Sequence, residues 1–115
     1  LTAGVYGLSN SLLNTRWPKV DTGKNALEQI ISVSTDPKKI FTLLLDQQQA
    51  ADAKLPSTGV DIDMERMLSS RFIQSEHYGT RSSTVLCIDR NGGVTWLEQS
   101  FDQHGASSDR VLHRF

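Results

Sequence analysis

The sequence predicts an α+β domain in which an antiparallel hairpin near the carboxyl end packs against short amphipathic helices. Three observations carry that expectation. Two β-rich runs, residues 83–89 and 94–101, flank Asn91-Gly92-Gly93, and Asn and Gly take φ > 0 at little cost in a tight reversal. Apolar residues recur at helical spacing in two stretches upstream. Between those stretches Asp36-Pro37 marks a helix start, because Asp can cap and Pro loses nothing at the first helical position. A length of 115 residues allows one domain, 1–115, with a single core.

In chain order, residues 3–10 read as a short β-run: Val5 and Tyr6 favour a strand, while Gly4 and Gly7 permit a bend or a close approach. Asn14 to Lys19 reads as an irregular connection, with Pro18 steering Trp17 away from the helical region and Trp17 packing beneath it. A helix is expected from Thr22, capped by Thr22 or Asp21, with Leu27, Ile30, Ile31 and Ser34 on one face. The next runs from Pro37 to about Gln48 and buries Ile40, Phe41, Leu44 and Leu45, with Leu43 widening the stripe.

Leu55 to Gly59 is the main internal loop. Asp61 or Asp63 starts a short helix over Met64, Met67 and Leu68. The set Asp61, Asp63 and Glu65 lacks the Gly and late Glu of a calcium loop, so it reads as capping plus a solvated acidic face. Residues 103–108 read as a loop and residues 109–115 as a last strand.

Composition narrows the class. A formal net charge of −1 gives no electrostatic reason to expect nucleic acid or an anionic membrane as partner. No apolar run approaches the roughly 20 residues of a membrane-spanning helix, and the opening residues do not read as a signal peptide. The first residues are already strand-like, as though cut from something longer. The single cysteine, Cys87, excludes an intrachain disulfide framework and reads as a small buried hydrophobe in a strand.

Little of the residue chemistry is self-sufficient. His77, His104 and His113 have no metal-ligand spacing, so no metal site is expected. His77-Tyr78 offers axial donors to a non-covalently held haem. The serines and threonines around Arg81 lack a nucleophile elbow, and no phosphate-binding glycine loop occurs. Arg81 is the strongest single candidate: its planar fork at the start of a strand suits a carboxylate, a phosphate or a developing oxyanion, and Asn10 can add an amide donor. Equally, Arg81 can pair with Glu76 or Glu98, and Asn10 can cap a turn.

Tyr6-Gly7-Leu8-Ser9-Asn10, Trp17-Pro18-Lys19, Gly23-Lys24 and Tyr78-Gly79-Thr80-Arg81, in this order and followed by the hairpin, closely resemble the carboxy-terminal half of the NRDE family. This is the transport and Golgi organisation protein 2 family, named for an Asn-Arg-Asp-Glu motif. The resemblance covers about residues 3–115. It implies an Ntn-hydrolase-like layout, four αββα layers, of which this chain is half. It also implies a cytoplasmic protein that handles haem or an acyl lipid, and a partner that is either the missing amino-terminal half or a second copy.

By analogy with related amidases, Asn10 matches an oxyanion donor and Arg81 a supporting residue. The initiating cysteine and the Asn-Arg-Asp-Glu motif are absent from this chain, so it is not expected to catalyse by itself. Two alternatives stand beside ligand handling. One is half of a cysteine N-terminal-nucleophile hydrolase acting on C–N amide bonds; the other is a structural or oligomerisation piece. Half of a layered domain should also leave an apolar sheet face or edge uncovered, and so should not persist as a well-folded monomer.

Overall fold

The computed structural model describes residues 1–115. It is an α+β fold of three helices, α1 (Pro18–Ile31), α2 (Pro37–Thr42) and α3 (Ile62–Leu68), followed by β1 (Ser82–Ile88), β2 (Val94–Phe101) and β3 (Ser107–Arg114). The strands form one antiparallel sheet in the order β1-β2-β3.

The helices start where short-range chemistry places a start. Asp36 accepts a hydrogen bond from the Lys38 N–H with Pro37 next in line, and Asp61 accepts from the Met64 N–H. At α1 the expectation of a start near Thr22 is corrected. Trp17 is the extended N-cap and Pro18 the first helical residue, by the same proline rule that places α2. Thr22 lies inside the helix and its hydroxyl donates to the Pro18 carbonyl at 2.9 Å.

The helix from Pro37 is shorter than its composition predicts. It ends at Thr42, tightens into a 3₁₀ turn over Leu43–Leu45, and then Asp46 turns extended. Asp46 is held by tertiary bonds that a continuing helix would forbid: its carbonyl accepts from the Phe72 N–H at 2.8 Å and its carboxylate pairs with Arg71. The run 3–10 is also corrected, because it forms no strand and pairs with none. It instead closes a loop in which Asn14, at φ 59°, accepts from the Gly7 N–H at 2.9 Å and from Lys24 Nζ at 3.1 Å.

Both sheet turns use one device. In Asp89–Gly93 and again in Asp102–Ala106, the aspartate carboxylate accepts the backbone N–H groups two and four residues on. The residue three on is a glycine with positive φ, Gly92 at 84° and Gly105 at 73°. This is a tight turn closed by a left-handed glycine, and Asn91 itself keeps negative φ. Ser107, placed in a loop by the sequence, already belongs to β3. A bulge between Gln99 and Phe101 is stitched by buried Gln99, whose amide donates to the Asp109 carbonyl and accepts from Arg110 Nε.

The core lies on one face of the sheet. Val85, Leu97 and Phe101 meet Phe41 and Phe72, with Phe72 and Phe101 edge-to-face at 4.7 Å, and half-buried Cys87 packs against them. Arg71 ties the layer together: its Nε donates to the Leu43 carbonyl at 2.9 Å, Nη1 to Thr22 Oγ1 at 2.6 Å, and Nη2 to the Asp46 carboxylate.

Two changes should separate packing from this tie. Leu97→Ala, at 1% exposure, is expected to cost about 3 kcal/mol in chemical denaturation. Arg71→Ala is expected to cost a similar amount, roughly 3 kcal/mol, and Arg71→Lys to recover little of it because a point charge cannot serve three acceptors in one plane.

Candidate functional site

Three of the four sequence-predicted site residues converge. Ser75 to Tyr78 forms the tip of a small turn closed by the Gln74–Gly79 bridge, with the Thr80 N–H donating to the Ile73 carbonyl at 2.8 Å. Thr80 Oγ1 also accepts from the Ile73 N–H at 2.9 Å, and a side chain at Gly79 would press on the Ile73 carbonyl. The Tyr78–Arg81 motif is therefore a local brace that delivers the chain into β1. His77 and Tyr78 stand exposed at its tip. They line, with Arg81, Asp102 and Gly105, an open groove of about 370 Å³ between this turn and the β2–β3 turn.

Arg81 forms no ion pair: Glu98 accepts from Thr84 across the strands, and Glu76 lies by His77, so neither expected partner holds the guanidinium. It acts instead at longer range on Asp102. Backbone N–H bonds from Ala106 and then His104 hold the Asp102 carboxyl below its ordinary range, opposed by burial, and the charges of His104 and Arg81 add to the effect. A free guanidinium on a rigid strand start can receive a carboxylate or phosphate.

Ile73 and Tyr78 are the only hydrophobic residues among those lining this groove. It offers a haem two axial donors but no walls for a porphyrin face, so these residues by themselves do not fit that group.

Asn10 is not brought to Arg81. It lines a separate cavity of about 170 Å³ between the start of α1 and α3, with Trp17, Lys19, Pro56, Thr58 and Glu65. Its side chain caps no turn. Lys19 Nζ donates to the Leu68 carbonyl at 2.9 Å and lies 5.9 Å from the centre of the Trp17 ring; burial holds its ammonium below the usual lysine range. The acidic set around Asp61 divides. Asp63 pairs with exposed Arg66, but Glu65 is 5% exposed and its Oε1 accepts from the Thr58 N–H and hydroxyl. Lys19 and Glu65 were not among the expected site residues. The available signal was spacing: Glu65 shares a helix face with Leu68 and Ser69.

The Asp102 carboxyl has a lowered folded pKa, so its contribution is complete above the unfolded value near 3.8 and is lost as pH falls through the folded value. Melting curves of the chain and its Asp102→Asn variant should differ by a constant amount above roughly pH 5 and converge in acid, with the chain melting higher at neutral pH.

A family model described as Transport and Golgi organisation 2 matches residues 1–103, which include all four motif segments. The chain is 34% identical over 109 residues to the Transport and Golgi organization 2 homolog of Mus musculus. It is 36% and 31% identical over the same length to the Transport and Golgi organization protein 2 homologs of Homo sapiens and Bos taurus. Each comparison covers 87% of this chain and 40% of the relative, so the chain spans about 40% of the length of the curated relatives it matches. On the breadth of that match, and on motifs whose side chains brace the fold, the chain belongs to the Transport and Golgi organisation 2 family.

Proposed function

We propose that this chain is one part of a ligand-handling domain, not catalytic by itself, whose open sheet face seats the rest of the family-length polypeptide. One observation carries the reading. The chain exposes 8150 Å², where a compact monomer of 12.8 kDa exposes about 6300 Å². Its radius of gyration is 15.3 Å, against about 13.3 Å for a compact domain of this length.

One contiguous part of the uncovered apolar surface lies on the sheet face opposite the core. Directly paired residues share a face, so Leu86, Trp96 and His113 form one row across the strands. Ile88, Val94 and Phe115 form the next, and Val111 extends the patch beside Glu98. Ile88 is 68% and Phe115 79% exposed. Such a face is ordinarily covered, and the relatives carry the additional chain that can cover it. A second sheet in that place completes the four-layer arrangement that the family resemblance implies.

Haem or an acyl lipid is the ligand class that the resemblance implies, and the cytoplasm is the setting. No helix of the chain is long and apolar enough to cross a membrane. The His77–Tyr78 groove lacks apolar walls, so in this reading a ligand meets them only in the assembled protein. The hydrolytic alternative has one observation in its favour, the unpaired Arg81 guanidinium, but Asn10 lies in another cavity and its nucleophile lies outside this chain.

Leu86→Lys and Trp96→Lys, on the open face, should leave the helix layer intact yet weaken association with a separately expressed amino-terminal part at least 100-fold. Unchanged association contradicts the docking face. In a parallel haem titration, the family-length protein should show a saturable Soret change that the isolated chain lacks, reduced by His77→Ala or Tyr78→Phe. Equal saturable binding by the isolated chain contradicts the assembled site.

A further inference from the structure

The cavity between α1 and α3 is not used by that reading, and its chemistry is specific. Glu65 is almost fully enclosed, and both bonds it receives from Thr58 fall on Oε1; Oε2 has no hydrogen bond and is not sealed from the cavity. Lys19 has three donors and uses one, on the Leu68 carbonyl. The two opposite charges line the same space without coming within ion-pair distance, 4.0 Å, of one another. Glu65 is the enclosed charge and Lys19 stands half-buried across the space from it, and an enclosed carboxylate gains from a cationic partner on its free oxygen. Trp17, Pro56 and Leu68 provide apolar contact, and Asn10 brings an uncommitted amide to the rim.

We infer that this cavity binds a small zwitterion of the amino-acid class, its ammonium on Glu65 Oε2 and its carboxylate on Lys19. The size permits it: about 170 Å³ is several times the roughly 30 Å³ share of one water in the liquid, so the space admits a small molecule such as alanine. The charges agree as well, since the site presents one of each sign and suits a ligand of no net charge. A ligand with a single charge leaves Lys19 or Glu65 without a partner. Four residues of the motif segments, Asn10, Trp17, Pro18 and Lys19, meet at this cavity.

The two tryptophans supply the test, because Trp17 lines the cavity and Trp96 lies on the sheet face. With 5-fluorotryptophan in the family-length protein, and the Trp17 and Trp96 resonances assigned by Trp→Phe replacement, L-alanine should move the Trp17 fluorine resonance saturably, with a Kd at or below about 1 mM, and leave Trp96 unmoved. Propionate and ethylamine, each carrying one of alanine's charges, should bind at least tenfold more weakly. Glu65→Gln, which still accepts from Thr58, and Lys19→Met should each abolish the shift while circular dichroism reports a folded chain. No saturable shift, equal response to propionate or ethylamine, or an unchanged shift in a folded variant overturns the assignment. The comparison of the three probes on the unaltered family-length protein decides the matter even if both variants unfold.

Discussion

One guanidinium holds the helical layer in register. Arg71 reaches α1 through Thr22, the end of α2 through the Leu43 carbonyl, and the following extended segment through Asp46. Its neighbour in sequence, Phe72, donates its N–H to the Asp46 carbonyl and drives its ring into the core against Phe101. The same few residues thus fix the helices to one another and the helices to the sheet. An arginine is required because its planar fork serves several acceptors at once, where a lysine offers a single charge centre. Room matters too: a side chain at Gly23 would approach Arg71 Cδ to 3.3 Å. The Gly23-Lys24 motif is accounted for in this way, with the glycine giving access to Arg71 and Lys24 holding Asn14.

From that layer the chain leads into a sheet with two unlike faces. Val85, Leu97 and Phe101 face the helices and are buried, whereas Leu86, Trp96 and Ile88 face away and are not. The outermost strand, β3, is exposed along its whole length. Only 10 of 115 residues are buried, a small core for a chain of this length, and none of the buried hydrophobics lies on the second face. The absence of a partner strand for residues 3–10 belongs to the same pattern. A run with strand-like residues joins no ladder and loops back on Asn14.

What was legible in the sequence is what short-range chemistry decides. Asp36-Pro37 and Asp61 cap their helices within a few residues of themselves, and the hairpin arms alternate with a period of two. The start of α1 obeyed an equally local rule at Pro18 but was masked by Trp17, which offers no side-chain cap. The early end of α2 was not legible, because Asp46 is held by Arg71 and Phe72, which are remote in sequence. The aspartate-centred turn is written twice, at Asp89 and Asp102, and its left-handed residue is the glycine three positions on, whereas Asn91, the residue of the usual Asn-Gly signal, keeps negative φ. The sites divide in the same manner. Proximity in sequence brought His77, Tyr78 and Arg81 to one groove, whereas the meeting of Asn10 and Lys19 with Glu65 depends on how α1 packs beside α3.

In the proposed reading the chain is one layer of a larger domain, and Trp96 is the best reporter of that state. It sits at the centre of the open face, paired with Leu86 on one side and His113 on the other. Hydroxyl-radical footprinting of the peptide containing Trp96 compares its exposure directly in the isolated chain and in the family-length protein. Strong labelling in the chain and protection in the longer protein are the predicted result. Equal labelling in both would contradict the claim that the rest of the polypeptide lies on this face.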